Sequence, residues 1–419
     1  MPTSELIINP FARITSFENN GNIEELRIEI PIPNQSKKVF QLKFEENPDL
    51  VEFISDLNKW GFQQFDPNDL TKTETELLLE NGFLVAKDSA PKKPLFNCFL
   101  DEIEPKSSVS LSPTNLIVNP SFRFESFDLT KASQLIHINN FSPYFPIAWV
   151  RLPITEIEIG YWLRDEYVEI VQNFKAGEKP FGKIEPRVLS KLVEAGILID
   201  ANEFSKIEAE VIHILEKAHQ TFLEKKYVVL EQILPPFYIS SLQNFFRQYV
   251  SNGFMPFDDG QVKRRYYQHN LPIAQFFHHS LTRLMSKIVG IEVKPSYVYA
   301  ASYIEDADLA PHLDREQCEY SISFQVDYLP EPENGVSPWG LYVSPLKEDQ
   351  TESINLSWDE FPEDNSTNQE VMKINLKNGD GLVYKGRELI HYRYKLPKNH
   401  QSTSLFFHYV AHDYQGQLS

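Results

Sequence analysis

The sequence predicts an α+β chain, with a duplicated α/β module in the first half and a strand-rich domain in the second. Three observations lead there. Two sequence patterns of the first half recur at nearly one offset, the second half carries apolar residues at a period of two, and two histidines and an aspartate fall at the ends of its expected strands.

The chain has 419 residues and is 42% hydrophobic, enough for two or three domains with sizeable cores. Its net charge is −19, from 59 acidic and 40 basic side chains. A chain this acidic is repelled by phosphate backbones, so nucleic acid is not an expected partner. Cys98 and Cys318 are its two cysteines. They form no disulfide framework and fit a reducing cytoplasm, the expected location. The opening stretch MPTSELIINPFARITSF has neither a basic n-region nor a long apolar run, so no signal peptide is expected. No stretch approaches the ~20 apolar residues of a membrane span.

Asn9-Pro10-x-x-Arg13-x-x-Ser16-Phe17 recurs as Asn119-Pro120-x-x-Arg123-x-x-Ser126-Phe127, and Leu79 to Val85 recurs as Val193 to Ile199. Two ordered matches at almost the same offset imply two copies of one unit, residues 1–90 and 111–203, joined by the polar segment Lys87 to Pro113. Each copy reads as strand, then short helices, then a last strand. The stretches Leu50–Leu57 and Tyr167–Phe174 have helical apolar spacing. Gly82 and Gly196 stand where a helix end needs a left-handed residue. Helix, glycine stop and short returning strand look like a winged-helix unit, similar to the small winged-helix domains that grip precursor peptides. Scaffolding or dimerisation and peptide docking are the roles this leaves open.

Residues 204–226 are expected to form a linking helix, opened by a capping box at Ser205-Lys-Ile-Glu208. From Tyr227 a strand starts the second domain, 227–419. Helices are expected over Phe237 to Val250 and Ile273 to Val289, with His278-His279 partly exposed. Lys347 to Glu370 is an acidic insert, expected as a surface loop or lid.

In the stretch Tyr297–Asp327, His312-Leu313-Asp314 lies between two β-rich runs, and Leu309-Ala310-Pro311 ends the incoming one. Tyr320, Ile322, Phe324 and Val326 alternate with polar neighbours, the pattern of a half-buried strand. Further on, Asn378-Gly-Asp-Gly is a turn, Leu382–Tyr384 a short strand, and Lys385-Gly386 a second turn before His391. Ser404–Val410 closes the domain. Two His and one Asp on such a frame are the facial triad that suits non-haem Fe(II) and leaves other coordination positions open.

This stretch resembles the Fe(II)/2-oxoglutarate-dependent oxygenases of the double-stranded β-helix (jelly-roll) class, in particular the prolyl-hydroxylase-like branch, from about Tyr227 onward. The resemblance implies a jelly roll braced by helices, with His312, Asp314 and His391 as catalytic metal ligands and 2-oxoglutarate and O2 as co-substrates. A carboxylate at position 314, in place of the small residue of related halogenases, implies hydroxylation or another oxidation. The branch's usual cation about ten residues past the distal histidine is absent here, where the chain reads His400-Gln-Ser-Thr-Ser404. A distal carboxylate wants a buried bidentate donor. Arg393 is the candidate, two residues past His391 and so on its face of the strand; Arg315 is the alternative. Tyr297 and Tyr299 share a face before His312 and, with Tyr303, would donate to the co-substrate or pack in the core. Ser402 and Ser404 would supply hydroxyls. His408 would stand behind the triad.

The expected function is hydroxylation of an amino-acid side chain in a peptide or protein, because a large module beside the catalytic domain suggests a substrate that needs holding. The alternatives are a free amino acid or small metabolite as substrate, and a non-catalytic jelly-roll scaffold. A homodimer is compatible with either role of the module.

Overall fold

The structure, a computed structural model, describes residues 5–9, 12–19, 22–30, 38–60, 65–90, 94, 96–104, 115–125, 145–345, 358, 361 and 371–418. It divides into two compact units, Met1–Pro94 with Phe246–Tyr267, and Leu95–Phe245 with Gln268–Ser419. The first sequence copy thus lies in one unit, and the second shares a unit with the strand-rich domain.

In the first unit, strands Arg13–Asn19, Asn22–Ile30 and Lys38–Lys43 form an antiparallel sheet in chain order. Helix Pro48–Trp60 buries Leu50, Val51 and Ile54 with Leu26, Ile28 and Leu42 of the sheet. Helix Lys72–Glu80 starts at Thr71 with a reciprocal capping box to Glu74. It stops at Gly82, whose φ of 75° is a left-handed conformation that glycine adopts without a Cβ clash. Strand Leu84–Ala86 then returns to pair with Leu6–Ile8.

The second copy has the same plan. Strands Arg123–Glu125, Ile147–Arg151 and Glu158–Trp162 form a sheet in chain order. Helices Asp165–Val171 and Pro186–Glu194 follow, then Gly196 at φ 69°, then strand Leu198–Asp200 against Leu116–Val118. Even single bonds correspond. Asn9 Nδ2 donates to the Gly82 carbonyl at 3.0 Å, and Asn119 Nδ2 to the Gly196 carbonyl at 2.9 Å. Each asparagine therefore ties the first strand to the glycine that ends the helix. The second part of the first repeated pattern, Ser126-Phe127, lies outside the described residues, as do 91–93, 95 and 105–113 of the linker and the acidic insert apart from Trp358 and Phe361.

The linking helix runs over Ala201–Lys225, four residues earlier than the expected capping box. Asp200 caps it, accepting from the Asn202 and Glu203 amides, while Ser205 Oγ donates to the Ala201 carbonyl inside the helix. A carboxylate at the end of the preceding strand wins over the serine because strand and helix abut with no loop between them.

The strand-rich domain has two antiparallel sheets, an arrangement compatible with a jelly roll. One has strands Tyr227–Leu230, Gly381–Lys385, Tyr320–Leu329, Gln401–Ala411 and Val293–Ile304 as successive neighbours. The other orders Leu309–His312, Leu389–Arg393, Leu341–Pro345 and Met372–Ile374. From Val293 to Arg393 the chain repeatedly crosses from one sheet to the other. Helices Pro272–Ser280 and Thr282–Val289, broken at Leu281, pack on the Val293–Ile304 strand.

The second copy is built into this unit. Tyr238 donates its hydroxyl to the Gly160 carbonyl, and its ring packs on Phe96, Tyr161 and Phe277 at centroid distances of 5.5, 5.7 and 6.2 Å. Glu156 pairs with both Arg283 and Lys287 at 2.8 Å. A cut near residue 204 would strip these buried rings of their partners.

The strand Tyr320–Leu329 is not half-buried. Ser321, Ser323, Gln325 and Asp327 are at most 3% exposed. Ser321, Ser323 and Gln325 share the face on which the candidate site lies, while a bulge between Gln325 and Asp327 turns Asp327 to the opposite face. His278 is also buried, at 2% exposure, contrary to the partly exposed histidine expected. Its Nε2–H donates to the His408 carbonyl at 2.7 Å.

Candidate metal centre

His312 ends one strand and His391 lies in the next, directly opposite it in register. Leu309 pairs with Arg393, so three steps on the first strand match two on the second. Such a bulge re-aims a side chain locally, and Pro311, which has no ladder donor, sits within it. The two imidazole centroids are 4.2 Å apart.

Asp314 completes the group. Its Oδ1 is 3.4 Å from His391 Nε2 and 3.9 Å from His312 Nε2. One ligand atom from each residue lies within 4.8 Å of the others. His312 Nδ1 is 2.8 Å from the Ala310 carbonyl, and His391 Nδ1 is 2.9 Å from the Leu389 carbonyl. A carbonyl only accepts, so both Nδ1 atoms carry a proton and both Nε2 atoms face Asp314, with the metal-free His391 sharing an Nε2 proton with the carboxylate that a bound cation would displace. Burial would raise the Asp314 carboxyl, but the charge and hydrogen bond of His391, with His408 and His312 nearby, hold it at about 2. Two imidazole nitrogens and a carboxylate oxygen therefore converge as ionised or neutral donors, the set that suits Fe(II). Exposure of the side chains falls from 16% at His312 through 12% at Asp314 to 3% at His391. The group thus opens to solvent on the His312 side.

The structure also shows what holds the carboxylate. The Asp314 amide donates to the Gly386 carbonyl at 2.9 Å, and a Cβ at Gly386 would overlap both Asp314 Oδ2 and the Cys318 carbonyl. Ser321 Oγ lies 3.2 Å from Asp314 Oδ2 and 2.8 Å from His408 Nδ1. Serine has one hydroxyl proton. With it given to Asp314, His408 Nδ1–H donates to Ser321, and the Oδ2 side of the carboxylate is held while Oδ1 faces the imidazoles. Burial lowers His408 to about 4, so the ring is neutral and suited to this role. Cys318 also stands near Asp314 and His408. Burial pushes its thiol well up, and it meets Tyr297 Oη at 3.1 Å, so it is a poor ligand beside the two imidazoles.

Arg393 points the same way as His391 and is 2% exposed. Its guanidinium lies 4.4 Å over the Trp339 ring, whose Nε1–H is held by the Tyr394 carbonyl at 2.7 Å. Arg393 Nη1 is buried with no hydrogen-bond partner, and among the described residues no carboxylate pairs with the side chain. Burial lowers its pKa, against the effect of Tyr303 and Tyr384 beside it. An unpaired buried cation is costly unless an anion joins it.

The other expected site residues separate. Arg315 is exposed and precedes the short turn Glu316–Cys318, so it is not the buried anchor sought. Tyr303 is 1% exposed and packs on Trp339 at 5.0 Å. Tyr297 lies over His408 at 4.7 Å, and Tyr299 over His269 at 4.7 Å. Ser402 Oγ accepts from Gln325 Nε2 at 3.1 Å, whereas the buried Ser404 Oγ makes no hydrogen bond. Trp339, Tyr384, Ser321 and Gly386 were not singled out from sequence as site residues. The Lys385-Gly386 turn was the one available signal, and it says nothing of which carboxylate it shelters.

No family model and no curated protein matches the chain. Among the described residues no helix is long and apolar enough to cross a membrane. Solved structures do match. The non-haem α-ketoglutarate-dependent epimerase SnoN of nogalamycin biosynthesis is 12% identical with a TM-score of 0.37, over 48% of this chain and 81% of that one. HygX from Streptomyces hygroscopicus, with nickel, 2-oxoglutarate and hygromycin B bound, is 12% identical with a TM-score of 0.37, over 47% and 88%. A prolyl-4-hydroxylase of Pseudomonas putida is 12% identical with a TM-score of 0.34, over 46% and 98%. What the chain is similar to, over about half its length, are 2-oxoglutarate- and iron-dependent oxygenases, prolyl hydroxylases among them.

Proposed function

We propose that the chain is an Fe(II)- and 2-oxoglutarate-dependent oxygenase that hydroxylates an amino-acid side chain of a peptide or protein. The observation that carries this reading is the convergence of His312, Asp314 and His391, with a buried Arg393 on the strand of the distal histidine that no carboxylate among the described residues pairs with. His312, Asp314 and His391 would hold Fe(II). Arg393 would pair with the distal carboxylate of 2-oxoglutarate, and the unbonded Ser404 hydroxyl is available to the same ligand. With Fe(II) bound, the centre would couple decarboxylation of 2-oxoglutarate to succinate with transfer of one oxygen atom of O2 to a substrate C–H bond. Trp339, Tyr303 and Tyr384 exclude water from the guanidinium and so strengthen its pairing with an anion. Ser321 and Gly386 keep the carboxylate in place.

The first copy forms a compact unit with Phe246–Tyr267, outside the unit that holds the site, which supports a role in docking substrate. The helix, glycine stop and returning strand in both copies are the feature that supports the winged-helix-like reading. An anaerobic titration with Fe(II) and 2-oxoglutarate tests the oxygenase reading. A weak visible metal-to-ligand band is expected when both are present. Its absence from protein with verified iron content would overturn the assignment.

A further inference from the structure

The residues beside the three proposed ligands share a face of their own. Ile390 and Tyr392 flank His391 on strand Leu389–Arg393, and strand parity turns them away from the face that His391 and Arg393 share. Leu313 separates His312 from Asp314. These three side chains form one buried apolar cluster with Phe361, all at most 6% exposed. Phe361 belongs to the acidic insert, whose described residues, Trp358 and Phe361, thus lie against the small sheet on the side away from the ligands.

Aromatic contacts and hydrogen bonds fix the segment there. The Phe361 ring is 5.1 Å from the Tyr392 ring, and Trp358 is 6.0 Å from Tyr392 and 5.5 Å from Tyr394. The Phe361 amide donates to the Trp358 carbonyl at 3.0 Å, and Tyr394 Oη donates to the Phe361 carbonyl at 3.2 Å. Tyr342, opposite Tyr392 in register, stacks on it at 5.2 Å. The ligand turn needs such support. Its strand, Leu309–His312, is at the edge of the small sheet and meets its neighbour at two registered positions with a bulge between them. Ligand geometry tolerates errors of only about 0.5 Å, so where the ladder is this short, side-chain packing has to supply the remaining precision.

We infer that Phe361 is a positioning residue of the metal centre. From the opposite face of the small sheet it holds Leu313 and Tyr392, and through them the backbone that carries His312, Asp314 and His391. Loss of its ring would leave space beneath both backbone segments, into which either could shift. The inference rests on the metal-centre part of the proposed function.

The test titrates the full chain with Co(II), whose visible absorption bands report the geometry of its ligands as well as its binding. Phe361→Ala is expected to weaken Co(II) binding by about tenfold or more and to change the shape of the bands. Phe361→Leu, which refills much of the space, should recover most of both. Leu192→Ala, in the buried face of the second copy's helix Pro186–Glu194, should lower the melting temperature yet leave affinity and bands as in the wild type. Trp358→Ala, at a half-buried position, should shift affinity and bands in the same direction as Phe361→Ala by a smaller amount, and it carries the comparison if Phe361→Ala does not fold. Wild-type affinity and bands in these two variants would overturn the inference. So would an equal loss in Leu192→Ala, which would make the effect one of stability alone. A wild-type chain that binds no Co(II) would instead overturn the oxygenase reading on which the inference stands.

Discussion

His312 and His391 are cross-strand partners, with ring centroids 4.2 Å apart. The bulge beside Pro311 brings them together, and Asp314 lies within reach of both Nε2 atoms. Substitution should therefore separate metal binding from folding most cleanly at His312, the most exposed of the three. His312→Ala should lose bound Fe(II), measured by metal analysis, with a thermal melt close to that of wild type. His391→Ala, at a buried position, should lose metal and also about 1–3 kcal/mol of stability. Retention of iron by His312→Ala would remove it from the ligand set.

Arg393 is a buried cation that no carboxylate among the described residues pairs with. Arg393→Met should therefore leave the free protein as stable as wild type or more so, since the desolvated charge disappears. It should also abolish the stabilisation expected of the wild type with 2-oxoglutarate, read as a shift in Tm. Arg315→Ala, at an exposed position, should leave that shift intact. An unchanged shift in Arg393→Met would move the anchor elsewhere.

Gly386 leaves the space that the Asp314 carboxylate fills. Gly386→Ala should displace that carboxylate and weaken Fe(II) binding by about tenfold or more, at a stability cost of about 1–3 kcal/mol. The constraint is steric, so Gly386→Ser should do no better. Wild-type metal affinity in Gly386→Ala would show that the hairpin yields.

Ser321 links Asp314 Oδ2 to His408. Ser321→Ala removes that donor without adding bulk. Metal affinity should fall by roughly 10–100-fold, while Ser321→Thr, which keeps the hydroxyl, should restore much of it. Equal affinity in both variants would exclude a positioning role.

Burial lowers His278 to about 3, even with its bond to the His408 carbonyl raising it. Below about pH 6.5 the unfolded chain takes up a proton at this histidine that the folded chain refuses until about pH 3. Its contribution to stability is complete above that range and falls as pH drops through it, by about 1.4 kcal/mol per pH unit at most. His278→Gln, which retains a donor for the carbonyl, should flatten the denaturant-midpoint profile between pH 6.5 and 5. An unchanged slope would place the acid sensitivity in other groups.

Local chemistry alone determined a good part of this protein. Gly82 and Gly196 end their helices in the left-handed conformation because each lies one helical turn past an apolar stripe, and that is visible in the chain. The duplicated motifs share an asparagine-to-glycine bond because the same residues recur at matching positions. That His312, Asp314 and His391 come together was foreseeable from residue type and the turns around them, and the burial of Arg393 from strand parity with His391. Other features depended on which faces the fold encloses. Ser321, Ser323 and Gln325 alternate with apolar residues, and the same alternation describes a strand facing water. Closure of one sheet over the other buried that polar face beside the candidate site, and no local pattern distinguishes the two. Likewise, Gly386 shelters Asp314 and Trp339 lies under Arg393 only through contacts between residues 54 to 72 positions apart in the chain. The division of the two copies between compact units was also a tertiary outcome: Tyr238 packs on Tyr161 of the second copy and on Phe96 of the linker, whereas the first copy closes on a core of its own.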